Sequence, residues 1–167
     1  MSLTLIATAG AANANSYATA AEGDTYHERH LYDSDWTGAT TANKEAALVW
    51  ATQVIDENLE FSGAKASIDQ ALRWPRYGVQ DRDGIFYDSD VIPQFLKNAA
   101  AEFARLLIAS DRTAEPDTQG FKSITVGPIS LDIDKYNQLS VIPESVYAML
   151  RHVASRVAGS ARKLIRV

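Results

Sequence analysis

Two long segments with apolar residues at helical spacing constrain the fold of this chain more than any other feature. In residues 42–60 the apolar positions follow the helical period, at Ala46, Val49, Trp50, Val54 and Ile55. Residues 93–109 repeat this pattern at Phe95, Leu96, Ala99, Phe103, Leu106 and Leu107. Segments of this length and period predict amphipathic helices, which have to bury their apolar faces against other parts of the chain. The sequence therefore predicts a core that is built on two long helices.

Two shorter helices are predicted on either side of these segments. Thr19 and Glu22 have the spacing of a capping box, in which each side chain satisfies a backbone N–H of the other residue. We therefore expect a helix from there to about Leu31. Residues 33–41 are rich in turn-forming residues and predict a turn. Pro143 predicts the beginning of a fourth helix, because its missing N–H costs nothing in the first helical turn.

A β-hairpin is predicted at about residues 121–135. Polar and apolar residues alternate from Ser123 to Val126 and again from Ile129 to Asp134, on either side of a Gly-Pro pair. A period of two predicts strands with one buried face. The predicted fold is mainly α, with a four-helix core, one β-hairpin between the third and fourth helices, and extended terminal arms. The predicted divisions are an N-terminal arm over residues 1–16, a helical domain over 17–155 and a basic C-terminal arm over 156–167.

Composition and charge exclude several classes of protein. With 46% hydrophobic and 22% charged residues the chain can bury a core, and no apolar run approaches the roughly 20 residues of a membrane-spanning helix. We therefore expect no membrane association. The chain has no cysteine, which excludes disulfides and thiolate nucleophiles. Residues 1–144 carry 21 acidic and 11 basic side chains, whereas residues 145–167 carry five basic ones and no acid. A mostly acidic body is poorly suited to holding nucleic acid by its phosphates.

No pattern typical of catalysis is present in the sequence. A Gly-rich phosphate loop, a Gly-x-Ser-x-Gly elbow and a His-Glu-x-x-His motif are all absent. Asp132 and Asp134 fall on the same face of a predicted strand, which is typical of the solvated side of a hairpin. We therefore predict that the protein is not an enzyme and needs no cofactor.

Two patterns match parts of metal sites. His27 and His30 are three residues apart and share one face of the predicted first helix, with Asp24 one turn earlier. A metal site needs further ligands, which the sequence does not identify, so we predict surface histidines and no metal site. Residues 81–84 match part of a calcium loop, but the alignment places Val79 at the first ligand position. That segment therefore predicts an acidic turn.

The segment Arg73-Trp74-Pro75-Arg76-Tyr77 is the candidate for nucleic-acid binding. In one interpretation Trp74 and Tyr77 stack on bases while Arg73 and Arg76 contact phosphates. In the other, Trp74 anchors a reversal of the chain and an arginine covers its ring. The acidic body favours the second interpretation.

Several short motifs follow one another in a definite order between residues 12 and 134. They are Ala12-Asn13-Ala14-Asn15-Ser16-Tyr17, Thr19 to Glu22, Lys44 to Leu48, Ala71 to Arg76, Asp81 to Gly84, Ile92-Pro93 and Val126 to Ile129. In this order they resemble the head-tail connector proteins of tailed bacteriophages, which are also called adaptor or head-completion proteins. Each motif is short, and their order carries the resemblance.

The resemblance implies a structural virion protein of the phage neck. Such proteins form a ring, commonly of twelve subunits, which binds the portal protein, extends the DNA channel and meets a tail-side neck or tail-terminator protein. Genomic DNA passes through the channel without specific binding. The implied location is the head–tail interface of the virion, after assembly in the host cytoplasm. Related sequences are also labelled as single-stranded-DNA-binding proteins similar to the primosomal protein DnaT, which is the alternative function.

The basic tail supplies candidate contacts with the portal. Our hypothesis is that its charged side chains meet acidic groups there while its apolar side chains fill pockets. The candidates are Arg156, Arg162, Lys163, Leu164, Ile165, Arg166 and Val167. A disordered end is the alternative for this tail. A third function, that of a small binding or regulatory protein unrelated to virions, stays open.

Overall fold

The fold combines short and long helices with small antiparallel sheets. The computed structural model describes residues 3–114, 123–126, 129–132 and 140–157. The helices are α1 (Ala20–His27), α2 (Ser34–Thr37), α3 (Thr41–Asn58), α4 (Gln94–Ala109) and α5 (Glu144–Leu150). The strands are β1 (Leu59–Phe61), β2 (Ala64–Lys65), β3 (Arg76–Tyr77), β4 (Ser123–Val126), β5 (Ile129–Asp132) and β6 (Ala154–Arg156). None of these helices has both the length and the apolar character needed to cross a bilayer.

Helix α4 is the central element, because it contacts each of the other four helices. Its fully buried residues include Leu96, Ala99, Ala100, Phe103 and Ala104. The alanines allow neighbouring helices to approach closely, and the larger Leu96 and Phe103 side chains fill the space between them. The two long predicted helices are confirmed as α3 and α4, with bounds within two residues of those expected.

The first predicted helix is confirmed but is shorter than expected. The Thr19 side chain accepts a hydrogen bond from the Glu22 backbone N–H, and the Glu22 carboxylate accepts one from the Thr19 backbone N–H, so the capping box is formed. Helix α1 ends at His27. Residues 34–37, which the sequence predicted as part of a turn, form the separate helix α2, whose Trp36 is completely buried. A single helical turn is too short to give a periodic pattern, so the sequence could not predict α2. The burial of Trp36 depends on contacts with distant parts of the chain.

Residues 3–16 are folded, although the sequence predicted a loose arm. The Asn15 side chain accepts a hydrogen bond from the Ile6 N–H at 2.7 Å and donates one to the Thr4 carbonyl at 2.9 Å. Ala14 and Ser16 are buried at the end of this loop. The side-chain amide of Asn15 can donate and accept at once, so it closes the loop where the composition suggested flexibility. The division of the chain at residue 16 stays a prediction.

Three two-stranded antiparallel sheets are present in the described residues. The predicted hairpin is confirmed in the backbone of β4 and β5, where Val126 pairs with Ile129 and Ser123 with Asp132. The pairs β1–β6 and β2–β3 were not predicted. Because β6 is paired in register with β1, Arg156 belongs to the folded body, although the sequence assigned it to the C-terminal arm. The predicted four-helix core is therefore corrected to a mixed fold of helices and small sheets.

Candidate functional sites

Trp74, a candidate for stacking on bases, is an internal residue. It is buried, and its ring makes edge-to-face contacts with Phe61, Tyr87 and Phe95 at centroid distances of 6.0, 6.1 and 5.9 Å. Edge-to-face geometry at these distances is favourable for aromatic pairs. The indole therefore holds the loop that follows α3 against α4, and no face of it is open to a base in this fold.

Arg76, a candidate phosphate ligand, is also buried. Its guanidinium donates hydrogen bonds to four backbone carbonyl groups, those of Phe61, Ser62, Gly63 and Arg73, at 2.7 to 3.2 Å. The carbonyls of Phe61, Ser62 and Gly63 lie at the turn between β1 and β2, so the guanidinium ties β3 to that turn. The predicted arrangement in which an arginine covers the Trp74 ring is therefore wrong for Arg76, whose donors are committed to the backbone.

Arg73 and Tyr77, the other two candidates, are exposed. Arg73 lies beside an open groove of about 610 Å³, whose lining includes Asp56, Glu57 and Lys65. The Arg73 N–H and Nε–H donate to the side chain and the backbone carbonyl of Asp56, at 3.0 and 3.1 Å. Because the groove holds as many carboxylates as cations, it has no excess of positive charge for a phosphate backbone.

The acid at the base of this groove is paired with a buried phenol. The Tyr17 hydroxyl donates to Asp56. Burial raises the pKa of Asp56, although the hydrogen bonds from Tyr17 and Arg73 oppose that effect. Burial and the neighbouring carboxylate raise the pKa of Tyr17. This contact joins the segment before α1 to α3, so the pairing of Tyr17 with Asp56 is explained by the fold and does not require a ligand.

His27 and His30 meet a third side chain that the sequence analysis missed. The prediction of surface histidines is wrong for His27, which is completely buried, and Glu102, from α4, is nearly so. One ligand atom from each of the three residues lies within 4.8 Å of the others. The signal for this residue in the sequence was a carboxylate, Glu102, within the apolar run 99–104, which predicts a buried face. The local sequence could not show which residues of another helix lie next to it.

The predicted companion of these histidines, Asp24, is engaged elsewhere. Its carboxylate accepts hydrogen bonds from Trp36 Nε1 at 2.8 Å and from Lys44 Nζ at 2.7 Å. The bond from Lys44 is the main cause that lowers the pKa of Asp24. Asp24 therefore joins α1 to α2 and α3, and it does not contribute to the histidine cluster.

The segment that partly matches a calcium loop is an acidic turn. Asp81 Oδ1 accepts hydrogen bonds from the backbone N–H groups of Asp83 and Ile85, at 2.9 and 2.8 Å. A carboxylate that bonds the backbone two residues further on is the usual chemistry of an Asx turn. The contacts of Asp81 are thus explained by the turn itself.

Of the portal candidates, Arg156 lies within the described residues, whereas Arg162 to Val167 lie outside them. Arg156 Nη2 lies 2.6 Å from Glu144 Oε2, and the guanidinium lies 4.3 Å from the centre of the Tyr147 ring. Both partners belong to α5, so Arg156 fixes β6 on that helix. Its role toward another protein stays a prediction.

Four large apolar side chains are exposed as two pairs, and the members of each pair are neighbours in the sequence. Leu31 and Tyr32, between α1 and α2, are 90% and 84% exposed, and Ile85 and Phe86 are 67% and 63% exposed. Single exposed apolar residues are ordinary, but neighbouring ones that project from an ordered fold are typical of surfaces that another protein covers.

Comparison with protein families decides the affiliation of the chain. The sequence model of a family described as "Putative DnaT-like ssDNA binding protein" matches residues 1–167. The chain belongs to this DnaT-like family. No curated protein and no solved structure matches it. The affiliation confirms the part of the sequence resemblance that concerned DnaT-like proteins, and the head-tail connector identity stays a prediction.

Proposed function

We propose that this protein is a non-enzymatic structural subunit of the phage neck, a ring-forming adaptor that binds the portal and connects the DNA-filled head to the tail. The observation that carries the proposal is the pair of exposed apolar sites, Leu31–Tyr32 and Ile85–Phe86. Removing a large apolar side chain from water contributes about 1.5–3 kcal/mol. Two such sites therefore supply substantial driving force for association with a protein surface.

The two exposed pairs belong to different parts of the chain. Leu31 and Tyr32 follow α1, whereas Ile85 and Phe86 follow the turn at Asp81, more than 50 residues later. Subunits in a ring use heterologous contacts, in which one surface meets a different surface of the neighbour. We infer that at least one of the two pairs contacts a neighbouring copy. On this proposal the rest of the surface meets the portal and a tail-side neck or tail-terminator protein.

The charge of the body supports a channel through which DNA slides. The chain has a formal net charge of −5, and its acidic excess lies in residues 1–144. An acidic wall does not hold phosphates, so the genome passes without being retained. On this proposal the protein is a virion component of the head–tail interface. The basic residues Arg162, Lys163 and Arg166 contact the portal on this proposal.

Co-sedimentation with portal-containing phage particles tests this proposal. The wild-type protein should sediment with the particles. The amount of the double variant Ile85→Ser/Phe86→Ser that sediments with them should be at least about tenfold lower. Asp88→Ser, an exposed substitution two residues away, is the matched control and should bind like the wild type. Circular dichroism should show the same helical content for all three. Equal binding of the double variant and the wild type would show that this pair is not an assembly surface.

Single-stranded-DNA binding is the second candidate function, and the family description favours it directly. Arg73 and Tyr77 are the two predicted contact residues that solvent reaches. A fluorescence-anisotropy titration of a labelled oligonucleotide at physiological salt tests this candidate. Affinity that is tighter than micromolar and falls in both Arg73→Glu and Tyr77→Ala would establish it. Non-specific DNA binding has a Kd of about 10⁻⁴–10⁻⁶ M at this salt, and a measured Kd in that range would exclude single-stranded-DNA binding as the function.

A further inference from the structure

We propose that His27, His30 and Glu102 form a binding site for a divalent transition-metal ion, of which Zn²⁺ suits the donors best. Two imidazoles and a carboxylate are a common set of protein ligands for zinc, with a fourth position left to solvent. The residues come from two elements that pack together, since the histidines lie on α1 and in the turn after it, whereas Glu102 lies on α4.

The hydrogen bonding of His27 leaves one of its nitrogens available to a cation. Nε2 lies 3.1 Å from the Ala101 carbonyl oxygen, and because a carbonyl can only accept, Nε2 carries the proton. Nδ1 of the neutral ring then has a free lone pair. It is buried and has no hydrogen-bond partner. A metal-binding histidine characteristically donates its other N–H to a backbone carbonyl, which is the arrangement found here.

Glu102 is held in position by a basic neighbour. Arg105 Nη2 lies 2.6 Å from Oε1 of Glu102, whereas Oε2 has only a longer contact, at 3.4 Å, with Arg105 Nε. Oε2 is therefore the less strongly held oxygen, and we assign it to the cation. The guanidinium opposes a second positive charge, but Arg105 also lies 3.9 Å from Asp35, a second acid that balances it.

The surroundings exclude water from one side of the cluster. The Trp36 ring lies 4.8 Å from the His27 ring, and the Tyr26 ring lies within 4.9 Å of both histidine rings. His30 is partly exposed and provides the path to solvent. Zinc bonds of about 2.0–2.1 Å in tetrahedral geometry bring ligand atoms to about 3.3 Å from one another. The three ligand atoms lie within 4.8 Å of one another, so they have to approach by up to about 1.5 Å when the ion binds.

Titration of the untagged, chelator-treated full-length protein with Zn²⁺ and with Co²⁺ tests the site. Calorimetry should show one ion per chain, and Co²⁺ should give visible absorption bands. His30→Ala and Glu102→Gln should each weaken Zn²⁺ binding at least about tenfold, since each removes a ligand. Because His30 is partly exposed, its substitution should leave the fold intact, which circular dichroism verifies.

His152→Gln is the matched control, because it removes the remaining histidine of the chain, which packs against Phe95. This variant should bind Zn²⁺ like the wild type. Zinc should raise the Tm of the wild type and of His152→Gln, but not that of His30→Ala. The absence of saturable binding, unchanged affinity in His30→Ala, or loss of binding in His152→Gln would each overturn the proposal.

Discussion

The guanidinium of Arg76 lies 2.8 Å from the carbonyl oxygen of Gly63, inside the fold. Sequence patterns alone placed this arginine among residues that could contact phosphates. Its burial and its four carbonyl partners make it a structural residue of the turn between β1 and β2. Together with the buried Trp74, this contact reduces the predicted nucleic-acid segment to Arg73 and Tyr77, which weakens the case for stacking and phosphate binding there.

The stability of the fold should depend strongly on Arg76. Arg76→Ala removes charge-assisted hydrogen bonds and leaves buried carbonyls unpaired, so it should lower the free energy of unfolding by about 3 kcal/mol. Urea denaturation followed by circular dichroism measures this change. The exposed Arg82→Ala is the control, and it should change the free energy of unfolding by less than about 0.5 kcal/mol. Similar values for the two variants would contradict the structural role of Arg76.

A second prediction concerns the contact between α1 and α2. A Cβ at Gly23 would lie 2.5 Å from Cζ2 of the buried Trp36 ring. Gly23→Ala should therefore lower the free energy of unfolding by about 1–3 kcal/mol, although alanine is the better helix former. In a Trp36→Leu background the same substitution should cost less, because the clashing ring is gone. A double-mutant cycle in urea measures the coupling, and additive effects would show that the two residues do not interact.

A third prediction is a pH dependence centred on Asp24. Hydrogen bonds from Lys44 and Trp36 lower the pKa of this carboxyl, with the Lys44 bond as the main cause. A group whose pKa is lowered by folding stabilises the protein above its unfolded pKa, and this stabilisation is lost as the pH falls through the folded value. Wild-type stability should therefore fall below about pH 4 more steeply than that of Asp24→Asn. Urea midpoints measured from neutral to acidic pH provide the comparison, and parallel curves would exclude this role.

The titratable groups around Asp24 are Lys44 from α3, at 2.7 Å, and His27 one turn later on α1. Burial lowers the pKa of His27. Lys44 also lies 5.3 Å from the centre of the Trp36 ring. Lys44→Met should therefore make stability fall less steeply at acidic pH, as Asp24→Asn does, because it removes the main cause of the lowered pKa of Asp24.

Local patterns predicted the elements whose signals are repeated, and missed those that depend on distant partners. Helices α3 and α4 and the β4–β5 hairpin follow from periods of 3.6 and 2 residues. Strand β1 has three residues and pairs with β6 at Ala154 to Arg156, so nothing within either segment identifies it. The same reason explains why Glu102 was missed, since its neighbours His27 and His30 lie about 75 residues earlier.

A fourth prediction concerns the basic tail. The amount of protein attached to the portal should be at least about tenfold lower for the triple variant Arg162→Glu, Lys163→Glu and Arg166→Glu, because reversed charges repel acidic groups on a partner. Its helical content should match that of the wild type. Co-sedimentation with portal-containing particles measures the loss, and Arg112→Glu, outside the tail, is the control for a general change in charge. Attachment equal to that of the wild type would exclude the tail as the portal contact.

Negative-stain electron microscopy of portal-containing particles, with and without added protein, tests the proposed function most directly. The proposal predicts a ring of extra density on the portal vertex, present with the wild-type protein and missing with Ile85→Ser/Phe86→Ser. Particles that show no added density at saturating protein, while the same preparation binds single-stranded DNA tightly, would contradict the adaptor function and establish the DnaT-like alternative.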